Sequence, residues 1–324
     1  MAGRQLKALF RAFHERDELS FRRAAQEIID EEESKHHFAL ARDLQKLLTV
    51  GGPSVDTGAA AIVPDPPRDR EGDWPLAEVR APSRSFDDLV LRPGVSDLLE
   101  DIVHEVLLWG ELDHHGIPRR QRILMQGPPG CGKTSAAEAI AARLDRPFVV
   151  VRLDAVVSSY LGETASNLRR VLEYADQGHF VVLFDEFDSL GRSRDDAAEH
   201  GEMKRVVTAF LQMVDKYRGP SLLIAATNHS GLLDTALWRR FDEVITFEPP
   251  TVHEIRRLLR NRLRAVPHQS VDIEALARQL KGLPHAAVEK LVWDARRLAV
   301  MDKRVGVTAV DIDRATHSVL SRPW

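Results

Sequence analysis

The sequence predicts an α/β fold: a parallel five-stranded sheet sandwiched by helices, with a helical lid domain after it and a helical module before it. Three observations predict it. Between residues 83 and 250, short apolar runs alternate with helical patterns, the arrangement that builds parallel sheets. The runs 180–184 and 222–226 are almost continuously apolar, as strands covered on both faces require. Finally, the octet Gly127-Pro128-Pro129-Gly130-Cys131-Gly132-Lys133-Thr134 joins an apolar run, Ile123-Leu124-Met125, to an alanine-rich helical stretch, 135–144.

The octet fits G-x-x-x-x-G-K-[ST], the phosphate-binding loop of ATP- and GTP-hydrolysing proteins. The expected fold is therefore an α/β P-loop NTPase domain. Gly127, Gly130 and Gly132 let the chain turn with its amides inward, and those N–H groups cradle phosphates at a helix N-terminus. Pro128, Pro129, Cys131 and Ser135 belong to the same nucleotide-binding stretch. Lys133 is expected to reach the β- and γ-phosphates of ATP, and Thr134 to place its hydroxyl on Mg²⁺.

Taken in order, residues 1–49 carry three helical stripes. Leu6, Leu9, Phe10 and Phe13 make the first, Phe21, Ala24, Ala25, Ile28 and Ile29 the second, and Phe38, Ala41, Leu44 and Leu48 the third. They predict either an adaptor module or a helical cap. Residues 50–82 contain Gly51-Gly52-Pro53 and then Pro64, Pro66, Pro67, Pro75 and Pro82, which rule out a long helix and predict a flexible linker. Within it Trp74 and Leu76 are expected to dock on the next domain. Residues 83–250 carry five strand candidates: 123–126, 148–153, 180–184, 222–226 and 243–247. Residues 251–324 carry only helical patterns, including Ile255, Leu258, Leu259 and Leu263, then Ile273, Leu276 and Leu280, then Val288, Leu291, Val292 and Leu298. They predict the lid.

Composition narrows the class further. A chain of 324 residues suffices for two or three domains, and a formal charge of -4 gives no general pull towards nucleic acid or acidic membrane. One cysteine allows no internal disulfide. The absence of an apolar centre near Met1 and of long apolar runs predicts a cytoplasmic protein without membrane contact.

A second chemical signal ends the third strand candidate, Phe180-Val181-Val182-Leu183-Phe184-Asp185-Glu186. Asp185 is expected to hold Mg²⁺ through its water shell. Glu186, pointing the other way, is expected to polarise the attacking water as general base. Asn228 closes the fourth strand candidate and can orient that water. Arg239 and Arg240 are either solvated or reach a neighbouring subunit's γ-phosphate, where a guanidinium offsets transition-state charge. Cys131 lies at a helix N-terminus that favours thiolate, which would permit a redox switch.

These motifs, in this order, resemble the AAA ATPases of the single-ring protein-remodelling group, which includes the katanin, spastin and proteasomal-ATPase relatives. The resemblance covers about residues 84–300. It rests on the phosphate loop, the FDEFDSL run, the AATN segment and the LDTALWRRFD segment. It implies a homo-oligomeric ring, usually a hexamer, with ATP at subunit interfaces, Asn228 as polar sensor, and Arg239 and Arg240 as fingers acting in trans. Many relatives separate the two arginines by further residues. It also implies that Tyr160, Leu161 and Gly162 form a pore loop gripping an extended protein substrate, with Arg192-Ser193-Arg194-Asp195-Asp196 as a second pore element. Gly282-Leu283-Pro284-His285-Ala286-Ala287 matches the relatives' G-F-[ST]-G-A-D. Ala286 then falls beside adenine, His285 replaces a glycine, and no arginine sensor is present. A second resemblance lies in Leu9-Phe10-Arg11-Ala12-Phe13, in the stretch 21–29 and in Ala41-Arg42-Asp43-Leu44. There the chain is similar to the ATPase of bacterial two-gene systems that pair an AAA ATPase with a subtilisin-like protease and are linked to phage defence. It implies a partner protease.

Two other functions share these catalytic parts. A nucleic-acid motor or loader would line its channel with basic residues, which Tyr160-Leu161-Gly162 does not supply. A nucleotide-switched scaffold would bind ATP to organise a protease and barely cycle.

Overall fold

The apolar runs become strands because each can bury both faces. The computed structural model describes residues 63–69, 72–157, 161–187, 197–228, 239–264 and 271–324, together with Ala24, Ala25 and Ile28. Among these, one six-stranded sheet forms from β1 (Ala77–Arg80), β2 (Arg122–Gln126), β3 (Phe148–Val151), β4 (Val181–Phe184), β5 (Leu222–Thr227) and β6 (Glu243–Thr246), in the order β1-β3-β4-β5-β2-β6. Helices α1 (Pro93–Leu107), α2 (Trp109–His114), α3 (Lys133–Arg143), α4 (Leu153–Val156), α5 (Leu161–Ala175) and α6 (Ala197–Lys216) accompany the sheet; α7 (Val252–Leu263), α8 (Ile273–Gln279), α9 (His285–Met301) and α10 (Ala309–Leu320) follow it.

Side chains alternate between two cores. Val182 and Phe184 of β4 join Leu223 and Ala225 of β5 and Leu124 of β2, under Leu168 and Val171 of α5 and Phe210 of α6. Val181 and Leu183 turn the other way, with Leu222, Ile224, Ile123 and Met125, against Leu99 and Ile102 of α1 and the alanines of α3. Burying each large side chain contributes about 1.5–3 kcal/mol, so a polar residue on either face would be costly. This double burial is why β4 and β5 read as unbroken apolar runs.

The five predicted strands pair in parallel, but the sheet gains a sixth at its edge. β1 runs antiparallel to β3, with Ala77 opposite Val151 and Arg80 opposite Phe148. It comes from the stretch expected to be a flexible linker. Leu76 is fully buried whereas Trp74 is exposed, so of the two expected docking groups only Leu76 docks. The segment before β1 is held too: the Tyr174 hydroxyl donates to the Pro64 carbonyl at 2.8 Å, and Arg170 donates to the Arg68 carbonyl at 2.8 Å. By its own contacts the chain divides into Met1–Val63 and Pro64–Trp324. All the elements above lie in the second unit. Of the first, Ala24, Ala25, Ile28 and Val63 alone are described, the first three as helix; the other stripe residues expected there lie outside the described residues.

α7 to α10 gather around their own core, including Ile255, Leu259, Val288, Leu291 and Ile312. Their starts are chemically marked. Thr251 Oγ1 accepts from the Glu254 amide while Glu254 accepts from the Thr251 amide, a capping box at the head of α7. Thr308 and Asp311 do the same for α10.

Candidate active site

The sheet's register builds the site. Gln126 lies opposite both Thr227 and Thr246, so β2, β5 and β6 end level and the chain leaves β2 at Gly127 beside Asn228 and Phe247. Gly127 has φ +142°, and a Cβ there would meet the Phe247 carbonyl oxygen at 2.0 Å. Gly130 has φ +70°, and its Cβ would lie 2.9 Å from that of Ala286. Both positions therefore require glycine, for closeness as well as for dihedral angle. Ala286, at the start of α9, donates its amide to the Gly130 carbonyl at 3.0 Å, which ties the helical part of the chain to the loop.

The loop delivers Lys133 and Thr134 into the first turn of α3. Lys133 is buried, and its Nζ donates to the carbonyls of Gly127 at 2.7 Å and Pro128 at 3.0 Å and to Asn228 Oδ1 at 2.8 Å. The ammonium thus stands among oxygens at the carboxyl ends of β2 and β5, where open α/β sheets bind ligands. Thr134 Oγ1 donates to Asp185 Oδ2 at 2.7 Å, and the Glu186 amide donates to Asp185 Oδ1 at 2.9 Å. Glu186 has φ +50°, a left-handed conformation that costs a non-glycine residue about 1–2 kcal/mol. Such strain concentrates at functional sites.

These groups face one cavity of about 310 Å³. With Lys133, Thr134, Asp185, Glu186 and Asn228, it is lined by Leu89, Val90, Leu91, Leu258, His285 and Ala286, and by the charged Arg84, Asp88 and Glu289. Pro129, Gly130, Cys131, Gly132 and Ser135 also line it. The polar groups suit phosphates and the apolar ones a base. The segment 84–91 and Glu289 were not legible as site residues. Their one local signal is the Ser85–Asp88 capping box, which marks a turn without saying what it faces.

The loop thiol departs from expectation. Cys131 is buried, and burial pushes its pKa up, against a smaller opposing pull from Lys133. Removal from water outweighs the pull of Lys133, so the position favours a neutral thiol rather than a thiolate.

The two arginines differ. Arg240 Nη1 pairs with Asp215 Oδ2 at 3.1 Å, while Arg122 holds Asp215 Oδ1 at 2.9 Å. Arg239 is exposed, with no hydrogen-bond or ion-pair partner among the described residues. Asp242 anchors the segment by accepting from the amides of Gln121 at 3.0 Å and Arg122 at 2.9 Å. Leu161 and Gly162 open α5 rather than a loop. Tyr160, residues 192–196 and residues 233–237 lie outside the described residues. Among the described residues, no group of three or more His, Cys, Asp or Glu side chains is gathered as for a metal cage. A nucleotide-bound Mg²⁺ does not need one, because phosphates and water supply most of its ligands; Thr134 and Asp185 have the oxygen chemistry it takes.

A glycine loop between strand and helix, with its lysine and threonine facing a strand-end aspartate, defines a P-loop nucleoside triphosphatase. Residues 123–249 match the family model described as ATPase family associated with various cellular activities (AAA). The chain is 39% identical over 322 residues to an AAA family ATPase of Sinorhizobium fredii, covering 99% of this chain and 97% of that one. It is 32% identical over 212 residues to the proteasome-activating nucleotidase of Pyrococcus horikoshii, covering 63% of this chain and 53% of that one. It is also 32% identical over 216 residues to a 26S proteasome regulatory subunit 8 homologue of Schizosaccharomyces pombe, covering 64% and 54%. It thus spans nearly all of the first relative and about half the length of the other two. The chain belongs to the AAA family of ATPases, and its reaction is the hydrolysis of ATP.

Proposed function

We propose that the protein is a Mg²⁺-dependent ATPase that assembles into a homo-oligomeric ring, a hexamer as the resemblance implies, and spends ATP on remodelling protein substrates drawn through a central pore. The observation that carries this reading is the convergence of Lys133, Thr134, Asp185, Glu186 and Asn228 on one cavity, with Arg239 outside it, exposed, and without an ion-pair partner among the described residues. Similarity to the proteasome-activating nucleotidase and to FtsH proteases supports protein rather than nucleic acid as the substrate. Tyr160, Leu161 and Gly162 are the proposed grip, and a partner protease, in a phage-defence setting, is the proposed recipient. Residues 1–49 are proposed as an adaptor module and 251–324 as the lid. A cytoplasmic site of action accords with the described residues, which include no helix long and apolar enough to cross a membrane.

In this reading each group has one task. Lys133 exchanges its carbonyl partners for phosphate oxygens. Thr134 and Asp185 hold Mg²⁺, which when bound neutralises phosphate charge. Glu186 accepts the proton of the attacking water, and Asn228, whose amide oxygen already contacts Lys133 at 2.8 Å, orients that water. Arg239 of a neighbouring copy offsets the charge that develops on the γ-phosphate; its exposure supports it over Arg240, which Asp215 holds back. Glu186→Gln is expected to bind ATP as tightly as the parent and to turn over at least about a hundredfold more slowly. Turnover at the parent rate would remove Glu186 from the role of base.

A further inference from the structure

Charged side chains from two parts of the chain meet at the cavity wall. Arg84, Asp88 and Glu289 line the cavity, and Arg262 joins them from the last turn of α7. Arg262 is the hub. Its Nε and Nη2 both donate to Glu289 Oε1, at 3.2 Å and 2.5 Å. Its Nη2 also reaches the Asp88 carbonyl at 3.1 Å, and its Nη1 lies 3.8 Å from Asp88 Oδ1. Arg84 Nη1 pairs with the same Glu289 Oε1 at 3.7 Å. Both cations thus fall on one oxygen of Glu289, and Oε2 has no partner among the described residues. The Glu289 side chain keeps 22% of its surface exposed, so a ligand in the cavity can reach it. Two guanidiniums against two carboxylates leave this wall without net charge. What it offers is not an anion site but a spare acceptor on a fixed carboxylate.

We propose that Glu289 reads the sugar: its uncommitted oxygen accepts a hydrogen bond from the ribose diol of ATP, so that this ATPase prefers ribonucleotides to deoxyribonucleotides. The inference rests on the nucleotide reading of the cavity and adds a specificity-determining side chain to it. Position along α9 carries it. The loop amides cradle the α- and β-phosphates, and α9 begins against that loop, where the Ala286 amide donates to the Gly130 carbonyl at 3.0 Å. Glu289 follows Ala286 by three residues, on the same face and roughly one turn, about 5 Å, further along the axis. In ATP the ribose is the group that follows the α-phosphate, so its hydroxyls come within reach of a side chain placed one turn beyond the loop. A hydroxyl can donate and a carboxylate only accepts, so the two match. A bare carboxylate so near a triphosphate would repel it; Arg262 and Arg84 offset that charge and leave the acceptor in place. A deoxy sugar presents carbon-bound hydrogen there and forfeits the bond.

The test compares kcat/KM for ATP, 2′-deoxy-ATP and 3′-deoxy-ATP in the parent and in Glu289→Leu and Glu289→Ala. The parent is expected to prefer ATP by roughly tenfold or more over at least one of the two analogues, the loss of a hydrogen bond to a charged group. Both variants are expected to bring that ratio close to one. If Glu289 only anchored Arg262, its removal would weaken all three nucleotides alike and leave the ratio as it is in the parent, so an unchanged ratio in either variant overturns the proposal. A parent enzyme that uses both analogues as well as ATP overturns it without any variant. Failure of the parent to use any of the three would instead strike at the nucleotide reading itself.

Discussion

At the residue scale, this site is a set of positions where the backbone tolerates very little. Gly130 is the clearest. Its φ of +70° disfavours any side chain, and the first atom of one would lie 2.9 Å from Ala286 Cβ and 3.3 Å from Pro284 Cβ. Both neighbours belong to the helical part of the chain, so the clash would push α9 away from the loop and break the Ala286 amide bond to the Gly130 carbonyl. Gly130→Ala is therefore expected to weaken ATP binding by roughly tenfold or more, from about 1–2 kcal/mol of dihedral strain plus the displaced helix. Adding Ala286→Gly removes the closer contact but not the strain, so the double variant should regain part of the affinity. Calorimetric ATP titration of the two single variants and the double variant checks it. Additive losses would mean that the loop and α9 do not meet as described.

At the scale of elements, α10 shows how one carboxylate fixes a helix. Asp311 is 3% exposed. It accepts from Arg304 Nη1 at 2.6 Å and Nη2 at 2.7 Å, and from the Thr308 amide and hydroxyl, each at 2.8 Å. The Arg304 guanidinium, helped by Thr308, holds its pKa far below the usual carboxylate range. A depressed folded-state value means that this contribution is fully present above the unfolded value, about 3.9, and fades as pH falls through the folded one. Asp311→Asn is expected to cost about 1.5–3 kcal/mol, seen as a lower Tm, with the gap constant between pH 8 and 5 and closing only in stronger acid. A gap that closed near neutrality would point to another group. The T-x-x-D signature of that cap stands in the sequence, as do the apolar runs of β4 and β5, because double burial and capping write themselves into consecutive residues. β1 does not announce itself. Only four residues long and buried mainly through Leu76 and Ala77, it lies among prolines, and nothing local says that β3 has an open edge for it. The loop chemistry of Lys133, Thr134, Asp185 and Glu186 was readable from motif and spacing. The meeting of His285 with Val90, 195 residues apart, was not, since only the fold brings them together. The burial of Cys131 is likewise a property of packing, and it reverses what the helix terminus alone predicts.

At the scale of the whole molecule, the proposal turns on a site completed by a second copy. Arg239 is exposed, while Arg240 is drawn towards α6 by Asp215, which Arg122 at the start of β2 also holds. The segment that carries both arginines is fixed through Asp242 to the strand that leads into its own phosphate loop. In the proposed ring, Arg239 would serve a neighbour's γ-phosphate. Two inactive proteins test this. Arg239→Ala keeps its base but gives its neighbour no finger, and should lose about 10³–10⁵ in turnover. Glu186→Gln keeps its finger but has no base. Co-assembled in equal amounts, they place an intact Glu186 against an intact Arg239 at about one site in four, enough to restore turnover that neither shows alone if the finger acts in trans. The measurement is ATP turnover across mixing ratios, with assembly followed by sedimentation, and activity should peak near the equal mixture. Arg240→Ala, mixed in the same way, should show no such peak, because its own turnover falls less. Mixed assemblies of Arg239→Ala and Glu186→Gln that stay silent at every ratio would mean that each site is complete within one copy. An Arg239→Ala protein that turns over near the parent rate, with the peak appearing when Arg240→Ala takes its place, would make Arg240 the finger.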